Sequence, residues 1–242
     1  MKAVLVRSVV VWSALSVAAI GCGSSGSTDG AVSTAGPNSS SVTTAGTTTS
    51  AGDSTTASSV PATATAIWPF GSSTTRYGDP VQAATGFAVQ YLGFVDPVLG
   101  TFMQGDSRSG EVAVRATTAG PVTTVIVRRL APDDTWFVLG ASSPHLQLTS
   151  PEWNAPVSSP VTVAGRSTAF EATVDVEIRQ DGSLIPLATG IVMGGANGEM
   201  GPFSKAFPFG RPVASSGAIV LKTMSAQDGH IAEATVVRVR FP

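Results

Sequence analysis

The sequence predicts a mainly β protein, in which a β-sandwich follows a small α+β domain and a disordered N-terminal tether. Three observations support this class. Strand-like runs in the second half recur at the spacing of about 8–12 residues that is typical of sandwiches. Helical spacing of apolar residues is confined to 80–92. The 26 Gly and 16 Pro among 242 residues disfavour long helices.

Composition excludes several classes of function. The formal net charge is -2 and charged residues make up 12% of the chain, which argues against a basic nucleic-acid-binding surface. A single Cys excludes an intramolecular disulfide. The whole chain contains one Cys and two His, which is too few for a Cys/His zinc site. We expect neither a metal nor a cofactor.

Residues 1–21 are predicted to be a signal peptide. Lys2 and Arg7 supply a positive start, and an apolar stretch over 9–20 follows. That stretch is too short to span a bilayer, which needs about 20 residues. It ends in Ala19-Ile20-Gly21-Cys22, where small residues stand directly before the Cys.

This ending resembles the lipobox of bacterial lipoproteins. The resemblance implies cleavage before Cys22, a diacylglyceryl group on its sulfur, and acylation of the new amino terminus with chains such as palmitate. Two or more acyl chains anchor a protein stably, so Cys22 would hold the chain on the extracytoplasmic face of the cell membrane. The alternative is a plain secretory signal with an incidental Cys.

Residues 22–66 are predicted to comprise the lipidated Cys and a disordered linker. Half of residues 23–66 are Ser or Thr, and Asp29 and Asp53 are the charged residues there. Such a segment buries too little apolar surface to offset the entropy of folding. Random-coil scaling gives the linker a span of roughly 35–40 Å.

Residues 67–150 are predicted to form the small α+β domain. Asp79 and Pro80 form a typical helix start, and apolar side chains recur at helical spacing until Gly93. One helix packed on a three-stranded antiparallel meander is the economical arrangement. The three predicted strands are 111–116, 122–130 and 135–141.

The loop 105–110 is the most polar segment of this half. Asp106 and Arg108 lie close together in it and are candidate partner-contacting residues. The alternative, which we favour, is a solvated loop. Arg128 and Arg129 end a strand on opposite faces, so one of them is a candidate ion-pair partner for Asp133 or Asp134.

Residues 151–242 are predicted to form an immunoglobulin-like β-sandwich, a fold of about 100 residues. Residues 157–165 are read as a first edge strand. Residues 170–179 alternate, with Phe170 at the start of the buried face and Glu177 on the face in water. Asp181-Gly182 indicates a hairpin turn.

Four segments of this half carry a family resemblance. They are 158–166, 170–174, 201–204 and 236–239. In order and spacing they resemble the bacterial spore-germination immunoglobulin-like domain, the type associated with GerMN domains. The resemblance implies an extracytoplasmic sandwich, often carried on lipoproteins, and it supplies no catalytic residue.

The sequence predicts that the protein is not an enzyme. His145 and His230 are expected in exposed loops, and no Gly-x-Ser-x-Gly elbow accompanies them. Glu171, Asp175 and Glu177 share one strand face, where a solvated surface is favoured over a metal site.

The function we expect is that of a non-catalytic binding or scaffold lipoprotein of the bacterial cell envelope. Its partner would be an envelope protein or a cell-wall polymer, bound by the sandwich or by a groove between the domains. Trp68, Tyr77 and Trp153 are candidate lining residues, or else they pin the linking segments onto the domains. The alternatives are an accessory subunit of a cell-wall enzyme and a carrier of a small apolar ligand between the helix and the meander. A carrier would need an apolar cavity of a few hundred Å³.

Overall fold

Strands dominate the computed structural model, which describes residues 62–242. The predicted signal peptide, Cys22 and residues 23–61 of the predicted linker lie outside the described residues. Strands take up 51% of the described residues and helices 11%, so the predicted mainly β class is confirmed.

The helix predicted over 80–92 is present. Helix α1 (Pro80–Gly86) continues as a π-helical segment (Phe87–Leu92). The Asp79 carboxylate accepts hydrogen bonds from the backbone N–H groups of Val81 and Gln82, both at 2.9 Å, and so caps the first turn. Gly93 ends the helix in the left-handed conformation at a φ of 94°. The buried helix residues include Ala83, Ala84, Phe87, Ala88, Tyr91 and Leu92.

Gly86 allows two aromatic side chains to pack closely against the helix. A Cβ added there would collide with the Tyr77 hydroxyl and lie 3.2 Å from Nε1 of Trp68. Tyr77 and Trp68 therefore cross the helix directly at Gly86. Each also forms an isolated bridge to the sheet, Trp68 to Val138 and Tyr77 to Trp136.

The first half of the sheet is an antiparallel meander. The three predicted strands are preceded by a further strand, β1, which the sequence did not reveal. Its pairing register shifts between Leu99 and Phe102, and this irregularity breaks the alternation that marks a strand. The four strands are β1 (Val98–Gln104), β2 (Ser109–Arg115), β3 (Thr123–Leu130) and β4 (Thr135–Ser142).

Nine strands follow in the second half. They are β5 (Leu146–Ser150), β6 (Ala155–Pro156), β7 (Val161–Ala169), β8 (Thr173–Gln180), β9 (Ala188–Met193), β10 (Gly195–Ala196), β11 (Gly201–Phe207), β12 (Ser216–Met224) and β13 (Ile231–Arg240). The predicted hairpin at Asp181-Gly182 joins the antiparallel pair β8 and β9.

These strands form two sheets. The first has nine strands in the order β1-β2-β3-β4-β13-β12-β8-β9, with β6 beside β13. In the second sheet β7 pairs with β5 and β11, and the short β10 lies parallel to the end of β7. An apolar core that includes Leu146, Val163, Ile178 and Phe203 lies between the two sheets.

One sheet connects the two segments that were predicted as separate domains. Strand β12 is buried on both faces, because Val220 joins the core beneath the helix and Leu221 joins the core of the sandwich. Val236 of β13 bridges to Ala141 of β4. Residues 62–242 accordingly fall within one compact unit.

The prediction that Glu177 faces water is wrong. Its carboxylate forms ion pairs with Arg179 and Lys222, and all three side chains are largely buried. Nη1 of Arg179 donates to the carbonyl of Tyr91 at 2.5 Å, and the guanidinium lies over the Tyr91 ring. This face of β8 is covered because the end of the helix from the first half packs onto it.

The prediction that Phe170 begins a buried strand face is also wrong. Phe170 lies in a 3₁₀ turn (Phe170–Ala172), and β8 begins only at Thr173. Glu171 and Ala172 have φ values of 53° and 60°, which turn the chain between β7 and β8. The Phe170 side chain consequently points out of the core and is exposed.

The predicted edge strand over 157–165 is instead central. It corresponds to β7, which lies between β5 and β11. The second sheet has β5 at its outer edge, a strand that precedes the predicted boundary at 151.

Candidate functional site

An apolar groove lies where the edge strand β5 approaches the first sheet. Its volume is about 560 Å³. The helix covers one face of β3 and β4, and the groove lies on their other face. The apolar lining residues are Ile126, Leu139, Gly140, Ala141, Leu146, Leu148, Trp153, Val236 and Val237. The polar ones are Ser142, Ser143, Gln147 and Thr235.

A sharp corner between β4 and β5 shapes the groove. The chain leaves the first sheet at Ser142 and enters the second at Leu146. Thr235 of β13 fixes this corner, because its hydroxyl accepts a hydrogen bond from the Ser143 N–H (3.0 Å) and donates one to the Leu146 carbonyl (2.5 Å). The corner therefore holds β5 over the open face of β4.

Trp153 forms one wall of the groove. It lies in the turn that precedes β6, and its side chain is 56% exposed. The next residue holds this turn against β13, because the Asn154 N–H donates to the Arg238 carbonyl at 2.7 Å. Nε of Arg240 donates to the Asn154 carbonyl at 3.0 Å. These two hydrogen bonds at Asn154 therefore fix the turn that carries the exposed indole.

The chemical character of the groove is that of a contact surface. Every residue that lines it is uncharged. Such a surface buries apolar groups and stacks an aromatic ring on a ligand, with hydroxyl and amide groups to orient it. It contains no acid or base for proton transfer.

Trp68 and Tyr77 do not share this groove. Trp68 is buried against Phe70 and Tyr91, and Tyr77 is half-buried over Gly86. Both hold the segment that precedes the helix against β4. Of the three aromatic residues that the sequence singled out, Trp153 is the one placed at the groove.

Asp106 and Arg108 lie in the exposed turn between β1 and β2. The Asp106 carboxylate accepts a hydrogen bond from the Arg108 N–H at 2.7 Å, and this bond holds its pKa below the usual range. The Arg108 guanidinium pairs with Asp134 at 2.7 Å. Arg129 approaches the same carboxylate at 3.5 Å, so the ion pair expected for one of the strand-end arginines is confirmed.

A cluster that the sequence did not reveal lies at the corner before β5. The buried Glu233 carboxylate accepts a hydrogen bond from Ser143 and lies 3.4 Å from Nδ1 of His145. In a Ser-His-Asp triad the His stands between the other two groups and takes the Ser proton. Here the carboxylate stands in the middle, so this cluster does not have the geometry of a triad. Nothing in the spacing of these residues signalled that they would meet.

Metal-ligand geometry is absent from residues 62–242. No group of three or more His, Cys, Asp or Glu there could hold a metal ion. Glu171, Asp175 and Glu177 therefore do not converge as ligands. Within the same range, no helix is both long and apolar enough to cross a membrane.

Comparison with known proteins finds a family match in the second half. Residues 145–230 match the immunoglobulin-like domain of bacterial spore germination. The family resemblance predicted from the sequence is confirmed over this range, which runs from the corner before β5 to the residue before β13 and does not include the fourth segment, 236–239. Neither a curated protein nor a solved structure matches the chain.

Proposed function

We propose that this chain is a membrane-anchored, extracytoplasmic lipoprotein that acts as a non-catalytic binding module of the bacterial cell envelope. Cys22 would carry the lipid, and the Ser/Thr-rich linker would carry the folded part away from the bilayer. The partner would be an envelope protein or a cell-wall polymer. The matched immunoglobulin-like domain supports a binding type of module.

The observation that carries the proposal is the uncharged groove beside Trp153. Isolated exposed apolar residues are ordinary, but a contiguous apolar surface in a concave site typically marks a contact. In this groove Leu139, Leu148 and Val237 lie beside an exposed indole. Truncating a central aromatic anchor of an interface costs about 2 kcal/mol or more.

Trp153→Ala is expected to weaken partner capture roughly 30-fold, the equivalent of that loss. Photocrosslinking in intact cells, followed by quantification of the captured partner, measures it. Met103→Ala is the matched control, because Met103 is exposed and lies outside the groove. Equal capture by wild type and Trp153→Ala would overturn the assignment of the groove as the binding surface.

Cys22→Ser is expected to move the protein from the membrane fraction to the soluble fraction. The substitution removes the thiol to which the diacylglyceryl group would be attached, and no acyl chain would then hold the linker at the bilayer. Fractionation of cells followed by immunoblotting measures the shift, with Ser25→Ala as the control. A Cys22→Ser protein that stays with the membrane would show that the anchor lies elsewhere.

The volume of the groove also favours a second candidate, a carrier of a small apolar ligand. About 560 Å³ falls within the range of small-molecule sites. The neutral dye N-phenyl-1-naphthylamine distinguishes the two candidates. Saturable binding of the dye that is lost in Trp153→Ala supports the carrier, whereas capture of a partner without dye binding supports the binding module.

A further inference from the structure

A second pocket, of about 430 Å³, opens at one end of the sandwich. It is separate from the groove beside Trp153 and has a different chemistry. Strands β12 and β13 supply Met224 and Glu233, and the loops around them supply His145, Phe170 and Asn197. The pocket thus combines a carboxylate, an imidazole and an aromatic ring.

Glu233 supplies the charge of this pocket. Its side chain is 5% exposed, and it receives hydrogen bonds from the Ser143 hydroxyl and, at 3.5 Å, the Thr223 hydroxyl. Within residues 62–242 its ion-pair partner is His145 at 3.4 Å, and no Lys or Arg nitrogen lies within 4.0 Å. The imidazole that covers the carboxylate is itself half exposed.

Two carboxylates that are only partly buried are neutralised differently. Glu177 pairs with both Arg179 and Lys222, and Asp181 pairs with the buried Arg238. Burying a carboxylate is costly unless a cation compensates it. Glu233 is therefore the buried carboxylate of the described segment that lacks a Lys or Arg counter-ion.

Phe170 stands at the mouth of the same pocket. Phe170 is 61% exposed and lies in the turn whose left-handed residues are Glu171 and Ala172. The neighbouring loops carry Glu171 and Glu199, which do not line the pocket, and the Arg166 guanidinium donates to the Met200 carbonyl at 2.8 Å. The pocket lining combines one carboxylate, that of Glu233, with the aromatic face of Phe170, and together these attract a cation.

We propose that this pocket binds an organic ammonium group, such as a lysine side chain or a free diamine. The ammonium would pair with the Glu233 carboxylate and lie against the Phe170 ring. An ammonium needs a single carboxylate and an apolar wall, whereas a metal ion needs several converging ligands, which residues 62–242 do not offer. The proposal goes beyond the envelope-binding function and does not depend on the groove.

Calorimetric titration of the purified protein with Nα-acetyl-lysine amide tests the proposal. We expect saturable binding, and no binding of the uncharged isostere Nα-acetyl-norleucine amide. Glu233→Gln keeps the shape and removes the charge, so the affinity is expected to fall about tenfold or more. Phe170→Leu removes the ring and is expected to weaken binding about two- to fivefold.

Glu111→Gln is the matched control, since it removes an exposed carboxylate from β2 outside the pocket. Phe170→Leu is the variant that tests binding without a change in the core, because Phe170 is exposed. Weaker binding in this variant is therefore not caused by misfolding. Titration with 1,5-diaminopentane separates the two sources of the ammonium group. Binding of 1,5-diaminopentane identifies a free diamine as the ligand. If the lysine amide binds and 1,5-diaminopentane does not, the ligand is a lysine side chain of a polymer. Binding of neither probe, or binding unchanged in Glu233→Gln, would overturn the proposal, as would calcium binding that requires Glu233.

Discussion

Arg238→Met is expected to lose about 3–5 kcal/mol of unfolding free energy, because its buried guanidinium serves several acceptors and each costs about 1–3 kcal/mol when left unpaired. Arg238 is 1% exposed. Its guanidinium pairs with both oxygens of Asp181, at 2.7 and 2.6 Å. It also donates to the Ser216 hydroxyl at 2.9 Å and to the carbonyls of Ala64 and Ala66. The substitution removes the guanidinium from all these acceptors, and Asp181 keeps the Ser216 hydroxyl as a donor at 3.1 Å.

Urea denaturation followed by circular dichroism measures the loss. Arg240→Met is the matched control, because Arg240 lies two residues along the same strand and is exposed, with a single side-chain bond to Asn154. We expect that variant to stay within about 0.5 kcal/mol of wild type. If Arg238→Met loses no more unfolding free energy than Arg240→Met, the hydrogen bonds of the Arg238 guanidinium do not stabilise the fold as expected.

The same substitution is expected to expose the segment that enters the folded part. Arg238 binds the carbonyls of Ala64 and Ala66 and so ties this segment to β13. Limited proteolysis should therefore cut near 62–66 faster in Arg238→Met than in Arg240→Met under conditions where both are folded. In this way Arg238 holds residues 64–66, which were predicted to belong to the linker, on the folded part.

Glu177→Gln is expected to cost about 3–5 kcal/mol for a related reason. The substitution removes the negative charge between Arg179 and Lys222 and leaves two buried cations facing a neutral amide. Lys222→Met should be less severe, because Glu177 then keeps Arg179 as its partner. Glu152→Gln, an exposed carboxylate, is the control. A Glu177→Gln variant as stable as Glu152→Gln would contradict the expectation.

The pH dependence of Glu177 gives an independent measurement. Burial alone would raise the pKa of Glu177, but the Lys222 hydrogen bond and the Arg179 charge outweigh it and hold the pKa below the usual range. A lowered pKa stabilises the folded state fully above the ordinary Glu value of about 4.3, and the stabilisation is lost as the pH falls through the lowered pKa. The difference in unfolding free energy between wild type and Glu177→Gln should therefore shrink on acidification below about pH 4. A difference in stability that stays constant down to pH 2 would contradict this account.

Local features of the sequence predicted the local structure well. Asp79, Pro80 and Gly93 mark the helix ends because capping depends on the chain within a turn of the helix. Asp181-Gly182 marks the β8–β9 turn for the same reason. The groove was predicted only in outline. The local sequence around a Trp does not show whether its side chain is buried, as in Trp68, or exposed, as in Trp153.

The sequence by itself determined the mainly β class and the capped helix, since both depend on residues close together in the chain. It also determined the family match of the second half, which depends on the order and spacing of several segments. Only the tertiary structure decided which strand faces meet water. Glu177 alternates like a solvent-facing residue, yet the end of the helix covers it, and its partner Lys222 lies on another strand. The Ser143–Glu233 contact joins residues 90 positions apart. Burial depends on contacts between segments that are distant in the chain, and the local alternation of apolar and polar residues does not show which segments will meet.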